Sequence, residues 1–139
     1  MKPTAILFPV LVQVMLTLGV LIAMGPARAR SMRENGQTLT DDDVRIGQNK
    51  WSTQAVKVAK NYANQFELPV LFYAVVAFAL ITSAVDLLMV GLAWVFVLSR
   101  LAHTAVHIGP NVVMWRGMAF LVGFVALALM WLKLAIHIL

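Results

Sequence analysis

Four long apolar runs constrain the fold of this chain more than any other feature. The first, from Thr4 to Met24, contains no charged residue and is about as long as a helix needs to be, at about 1.5 Å per residue, to cross a hydrocarbon layer of about 30 Å. Hydrophobic residues make up 61% of the chain and charged residues 12%, which is about half the charged share of a soluble protein. We therefore predict an integral membrane protein.

The predicted architecture is a single all-α domain covering residues 1–139, an up-down bundle of four transmembrane helices. We place the helices at about 4–25, 52–84, 87–108 and 111–138, with a cytoplasmic loop at about 26–51. Gly25-Pro26 is expected to end the first helix, and Pro69 is expected to kink the second, because proline lacks a backbone N–H. A cleaved signal peptide is the weaker interpretation of the first run, since its apolar stretch is longer than a signal-peptide core.

Positive charge is concentrated on one side of this predicted bundle. Seven of the eleven Lys and Arg residues lie between Arg28 and Lys60. The positive-inside rule then places this loop and the 108–116 turn in the cytoplasm, and both termini on the non-cytoplasmic side. The net charge of +5 is accordingly expected to face anionic lipid headgroups, and no nucleic acid is expected as a partner.

Two polar stripes run into the apolar helices from the cytoplasmic side. Residues in each stripe are three or four apart and so share one helix face: Lys60, Asn64 and Glu67 on the second helix, and Arg100, His103 and His107 on the third. Charged side chains inside a membrane are costly unless they meet a partner or a wet cavity. Glu67 is the expected mate of Arg100, either in a structural ion pair or around a ligand, and Arg116 of the fourth helix is expected to converge on the same place.

Together the stripes predict a mostly cationic cleft that holds one carboxylate and one amide. Guanidinium forks match carboxylates, and a Glu can hold an α-amino group, so a small zwitterion with extra carboxylates, such as glutathione, would suit the cleft. The chain contains no Cys, so any sulfur chemistry must use a thiol that a substrate brings.

Two groups of possible metal ligands favour other interpretations, and no metal site is predicted. The run Asp41-Asp42-Asp43 is interpreted as a solvated loop or as the N-terminal cap of a helix that resumes at Val44. His103 and His107 are spaced like a metal-binding pair, but no third ligand accompanies them, and the neighbouring arginines would repel a cation.

The motifs of the second and third helices resemble those of the MAPEG family (membrane-associated proteins in eicosanoid and glutathione metabolism). These motifs are Lys-x-x-x-Asn-x-x-Glu from Lys60, followed by Pro69, and Arg-x-x-His-Thr-x-x-His from Arg100, with Arg116 nine residues beyond the second His. The chain length, the long first loop and the four apolar segments fit as well, so the resemblance covers nearly the whole chain. The family includes microsomal glutathione transferases, the leukotriene-forming synthase and microsomal prostaglandin E synthase.

The resemblance implies a homotrimer that binds glutathione, as co-substrate, at subunit interfaces near the cytoplasmic face. By motif position it implies that Asn64 and Glu67 hold the peptide part of glutathione and that Arg116 is the catalytic residue, which stabilises the thiolate. It implies that four further residues bind the co-substrate: Lys60, Arg100, His103 and His107. Lys60 stands where the family's enzymes commonly have Arg, and His107 stands where several have Tyr.

The expected function is that of a membrane-embedded, glutathione-dependent transferase or peroxidase. A nearby guanidinium favours the thiolate, which would attack a lipophilic electrophile or peroxide dissolved in the lipid bilayer. The two departures from the family pattern keep open an alternative, a non-catalytic MAPEG-fold membrane protein that binds a lipid or a partner protein. A small channel or transporter is less well supported, because the sequence shows no inverted repeat.

Overall fold

A computed structural model describes residues 2–35 and 51–139, which are helical with short connections. After a 3₁₀ turn at Pro3–Ile6, the helices are α1 (Leu7–Asn35), α2 (Thr53–Asn64), α3 (Leu68–Ile81), α4 (Leu87–Ile108) and α5 (Val113–Ile138). Because α2 and α3 follow each other along one span, these residues form four spans that are long and apolar enough to cross a membrane. The prediction of an all-helical fold with four spans is confirmed.

Contacts at the two ends of the bundle show that successive spans run in opposite directions. At one end, the Ser52 backbone N–H donates to Ser31 Oγ at 2.6 Å, joining the end of α1 to the start of α2. At the other end, His137 Nε2 donates to the Thr82 carbonyl at 3.1 Å, and Lys133 Nζ lies 2.9 Å from Asp86 Oδ2. We call this second end the Asp86 end; it comprises residues 82–87 and 133–137.

The first helix is longer than predicted. Instead of ending at Gly25-Pro26, α1 continues through Pro26 to Asn35. One proline removes a single backbone hydrogen bond, and spanning helices tolerate this. At about 1.5 Å per residue α1 is about 43 Å long, so its final turns extend beyond a hydrocarbon layer of about 30 Å.

The start of the second span is set by Ser52. Its Oγ accepts a hydrogen bond from the Ala55 backbone N–H at 3.3 Å, which satisfies one of the free donors of the first turn of α2. The run Asp41-Asp42-Asp43, interpreted above as a solvated loop or a helix cap, lies outside the described residues.

The second span is interrupted rather than continuous over 52–84. Between α2 and α3, the Gln65 and Phe66 backbone N–H groups donate to Tyr62 and Ala63, each at 3.0 Å, in tight three-residue steps. Pro69 occupies the first turn of α3, where a helix has no partner for the missing N–H. The expected kink is therefore a break, which leaves the carbonyl of Asn64 available to side chains.

The buried face of α4 changes character along its length. Its first half is apolar and packs into a core where the rings of Phe72 and Phe96 stack with centroids 4.5 Å apart. Gly123 of α5 lies against Ser99 so closely that a Cβ there would collide with the serine hydroxyl. From Ser99 onward the buried residues of α4 are polar: Ser99, Arg100, His103, Thr104 and His107.

The outside of the bundle is strongly apolar. Large hydrophobic side chains such as Phe8, Ile22 and Ile81 are exposed, and at most half of the most apolar stretch of any span is buried within the chain. Soluble monomers do not expose apolar surface on this scale. Together with the four spans, this surface identifies a multi-pass integral membrane protein.

Candidate functional site

A polar cavity of about 370 Å³ lies between the start of α2, the end of α4 and the start of α5. Its lining residues are Trp51, Thr53, Val56, Lys57, Lys60, His107, Asn111 and Arg116. Three of these are predicted site residues, Lys60, His107 and Arg116, and Lys57 adds another cation. None of the lining residues in the described part of the chain is acidic. We call this cavity the cationic cleft; its lining suits an anionic ligand.

Arg116 is held at the cleft by the turn between α4 and α5. Its Nη1 donates to Asn111 Oδ1 at 2.7 Å. Asn111 has φ of 54°, in the left-handed region that Asn adopts more readily than most residues. Since Asn111 is neutral, the hydrogen bond orients the guanidinium without cancelling its charge.

Arg100 lies behind the cleft, deep in the bundle, and is only 1% exposed. Its Nη2 donates to the Asn64 carbonyl at 3.2 Å, the group that the break between α2 and α3 leaves available. Its Nε and Nη1 are buried without a hydrogen-bond partner in the described part of the chain. A buried cation with unused donors calls for an acceptor from a ligand or from a second subunit.

Within a single chain, Glu67 does not supply an acceptor for Arg100. The side chain is exposed at the break between α2 and α3, and the Glu67–Arg100 ion pair suggested by the sequence is absent from the described residues. Asn64 is half-buried and contacts Arg100 through its backbone carbonyl. The chain therefore brings Lys60, His107 and Arg116 together and places Arg100 and His103 behind them, while Glu67 makes no ion pair with Arg100 in the described part of the chain.

The two histidines of α4 have different surroundings. His103 is 4% exposed, and its Nδ1 donates to the Arg116 carbonyl at 3.2 Å. Its Nε2 is buried and has no partner among the described residues. The His107 ring lies edge-on to that of His103, with centroids 5.6 Å apart, and lines the cationic cleft.

Sequence reasoning did not predict a row of hydrogen-bonded, buried polar side chains that ends at His107, which we call the chain of amides after its three amide members. It runs across α1, the second span and α4, and its members are Gln13, Gln65, Asn61, Thr104 and His107. The available signal was Gln13, an amide in an otherwise apolar run, because a polar group at membrane depth requires a partner. Asn61 and Gln65 give no such signal, since they lie in a segment that is polar throughout.

Within the described residues, no group of three or more His, Asp or Glu side chains is placed to hold a metal ion. The arrangement instead offers guanidinium, ammonium and imidazole groups around one cavity. Such a set can bind carboxylates and favour a thiolate over a thiol.

Comparison with known proteins identifies a family. A model of the MAPEG family matches residues 6–136, nearly the whole chain. Among curated proteins and among solved structures, nothing matches the chain significantly.

Proposed function

Since the chain belongs to the MAPEG family, as its helix motifs indicate, we propose that it is a membrane-embedded, glutathione-dependent transferase or peroxidase. The observation that carries this proposal is the cationic cleft, in which Lys57, Lys60 and Arg116 line one cavity without an acidic neighbour among residues 2–35 and 51–139. Glutathione has two carboxylates and one amino group, so it brings the net negative charge that such a cavity attracts. The volume of about 370 Å³ lies at the small end of the range for ligand pockets, about 300–1,000 Å³.

In the proposed reaction, Arg116 stabilises the thiolate of glutathione electrostatically. Arginine keeps its proton at neutral pH, so it cannot act as the base, and the thiol proton leaves to solvent. In a transferase reaction the thiolate sulfur forms a bond to an electrophilic carbon, and the leaving group departs with the electron pair. In a peroxidase reaction two glutathione molecules are oxidised to the disulfide while the peroxide is reduced to an alcohol and water.

We propose that the protein works as a homotrimer with the cleft at the cytoplasmic face. Glu67, exposed in the single chain, and the side chain of Asn64 would then meet the amino group and peptide of glutathione across a subunit boundary. The concentration of Lys and Arg at this end of the bundle supports the orientation, with both termini on the non-cytoplasmic side. The second substrate is a lipophilic molecule that enters from the bilayer.

Thiolate absorbance tests the proposal. Purified protein in detergent at neutral pH is mixed with glutathione, and the ultraviolet absorbance of the thiolate is followed together with conjugation of a generic electrophile. Arg116→Gln is expected to abolish the thiolate signal and lower kcat/KM by about 100-fold, the effect of losing one donor to a developing anion. Lys133→Gln, a matched change at the Asp86 end, is expected to leave both readouts intact. Wild-type protein that gives neither a thiolate signal nor conjugation would contradict the proposal.

The second candidate is a non-catalytic membrane protein of the same fold that binds a lipid or a partner protein. Lys60 is the observation that favours it, because an ammonium group lacks the bidentate fork with which Arg holds a carboxylate. Lys60→Arg distinguishes the two candidates. An enzyme is expected to bind glutathione more tightly after this change, whereas a lipid-binding or partner-binding protein gains no glutathione affinity.

A further inference from the structure

We propose that Asn61 is a positioning residue that fixes the protonation pattern of His107. Through one hydrogen bond it keeps the ring proton on Nε2, so that His107 presents an N–H donor to the anion in the cationic cleft and does not take the thiol proton. The nature of that anion rests on the proposed function, whereas the protonation pattern follows from the chain of amides behind His107.

A backbone carbonyl determines which amide atoms donate and which accept along the chain of amides. Gln65 Nε2 lies 3.4 Å from the Asn61 carbonyl oxygen, which can only accept. This contact identifies the NH₂ end of the Gln65 amide, so Gln65 Oε1 must be the atom that accepts from Gln13 Nε2 at 3.0 Å. The same NH₂ group donates to Asn61 Oδ1 at 3.1 Å.

The orientation of the Asn61 amide follows from that of Gln65. Asn61 Oδ1 also accepts from the Thr104 hydroxyl at 3.3 Å, so two donors converge on the oxygen. The NH₂ group of Asn61 therefore points the other way, toward His107 Nδ1 at 3.3 Å. A flipped Asn61 would turn its NH₂ group toward the NH₂ group of Gln65 and leave buried donors unpaired, which is costly in a low-dielectric interior.

Because Asn61 donates to it, His107 Nδ1 must carry a lone pair, and the proton of the neutral ring is on Nε2. Asn61 is fully buried and His107 lines the cleft, so Nε2 is the ring nitrogen left for a ligand. His103, one turn earlier, is fixed in the opposite way. Its Nδ1 faces the Arg116 carbonyl, so Nδ1 carries the proton and the buried Nε2 carries the lone pair.

The charged groups around His107 also oppose a second proton on its ring. Lys57, Lys60 and Arg116 share the cleft with it, and Arg100 and His103 lie on the same face of α4. A second ring proton would add positive charge among these groups and would set two N–H donors, those of Asn61 and Nδ1, against each other. A neutral His107 that donates from Nε2 meets neither penalty.

The ring protons can be observed directly. Protein labelled with ¹⁵N-histidine is reconstituted in nanodiscs without ligand at neutral pH, and long-range ¹H–¹⁵N correlation spectra report which nitrogen of each ring is protonated. His107→Gln and His137→Gln variants assign the signals. We expect a proton on Nε2 of His107 and on Nδ1 of His103. A proton on Nδ1 of His107 in the wild type would overturn the inference.

Variants of Asn61 test its role. In Asn61→Asp the carboxylate can only accept, so Nδ1 of His107 is expected to gain a proton, and in Asn61→Leu the two patterns are expected to coexist. Gln54→Glu, the same kind of change at an exposed residue outside the chain of amides, should leave the His107 signal unchanged. If His107 kept its wild-type pattern in both Asn61 variants, Asn61 would not be a positioning residue.

A second readout separates this inference from the proposed function. Asn61→Leu is expected to raise the KM for glutathione about ten-fold, because part of the His107 population then turns a lone pair toward the anion, while Gln54→Glu does not. An unchanged KM would overturn the role of Asn61 in ligand binding. If the wild type did not use glutathione at all, the proposed function would fail, whereas the ligand-free spectra would still decide the protonation pattern.

Discussion

The cationic cleft and the Asp86 end both hold basic side chains next to an apolar layer, but they neutralise them differently. At the Asp86 end Lys133 meets a carboxylate at 2.9 Å. At the cleft the partners found among the described residues are neutral: Arg116 donates to an amide oxygen of Asn111, and Lys57 donates to the Gly109 carbonyl at 3.2 Å. Neutral partners orient a cation and leave its charge in place. We infer that the Asp86 end holds the helices together and that the cleft is kept positive for a ligand.

The largest expected effect concerns Arg100, the buried cation with two donors that find no partner in the described part of the chain. We expect Arg100→Met to raise the free energy of unfolding of the ligand-free, monomeric protein by on the order of 2 kcal/mol. The desolvation cost of a buried ion, several kcal/mol, outweighs a charge-assisted hydrogen bond of about 1.5–3 kcal/mol. Chemical denaturation in detergent micelles measures this change.

Lys133→Met is the matched control for Arg100→Met, because it removes a basic side chain that has a carboxylate partner. It is expected to lower the free energy of unfolding by about 0.2–1 kcal/mol, the range for exposed ion pairs. Opposite signs for the two variants would support the comparison between the two ends. Destabilisation by Arg100→Met would instead identify Arg100 as a structural residue.

A smaller effect is expected from Asp86, which has two roles at its end of the bundle. Its Oδ1 accepts from the Met89 backbone N–H at 2.9 Å and caps α4, and its Oδ2 pairs with Lys133. Asp86→Ala is expected to cost about 1 kcal/mol of stability, mostly from the lost cap. Asp86→Asn keeps a capping oxygen and should cost only a few tenths of a kcal/mol. Equal losses in the two variants would show that the ion pair is the larger contribution.

The smallest effect is a pH dependence at the same residue. The hydrogen bond from the Met89 N–H, and then Lys133, hold the pKa of Asp86 below its ordinary value of 3.8. A carboxyl group with a lowered pKa contributes stability that is complete above 3.8 and is lost as the pH falls through the folded-state pKa. The difference in unfolding free energy between wild type and Asp86→Asn should therefore shrink below pH 3.8. A constant difference would mean that protonation of Asp86 does not affect folding.

The parts of the fold that depend on hydrophobicity could be predicted from the sequence. Run length indicated four spans, and the predicted helix bounds of 52–84 and 87–108 placed the second turn close to where the structure has it. The end of α1 could not be predicted this way, because Pro26 breaks a helix only when no other contact supports the chain beyond it. Ser31 provides such a contact through its hydrogen bond to Ser52. Local helix propensity does not indicate a contact between residues 21 positions apart.

The sequence indicated which residues form the candidate site better than it indicated how their side chains contact one another. Helical spacing correctly grouped His103 and His107 with Arg100 on one face of α4. The Glu67–Arg100 pair was inferred from charge alone, and the break between α2 and α3 sets Glu67 on the surface instead. The chain of amides could not be predicted, because its members lie on three spans and pairing across spans depends on the register of packed helices.

The chain of amides behind His107 affects whether hydrogen ions can move through the buried polar part of the protein. Side-chain amides such as those of Gln13, Gln65 and Asn61 neither lose nor gain a proton readily near neutral pH. A file of such groups therefore carries a dipole into the bilayer but cannot pass hydrogen ions along it, unlike a file of water or carboxylates. The protein can thus bury these three amides without making them a path for hydrogen ions.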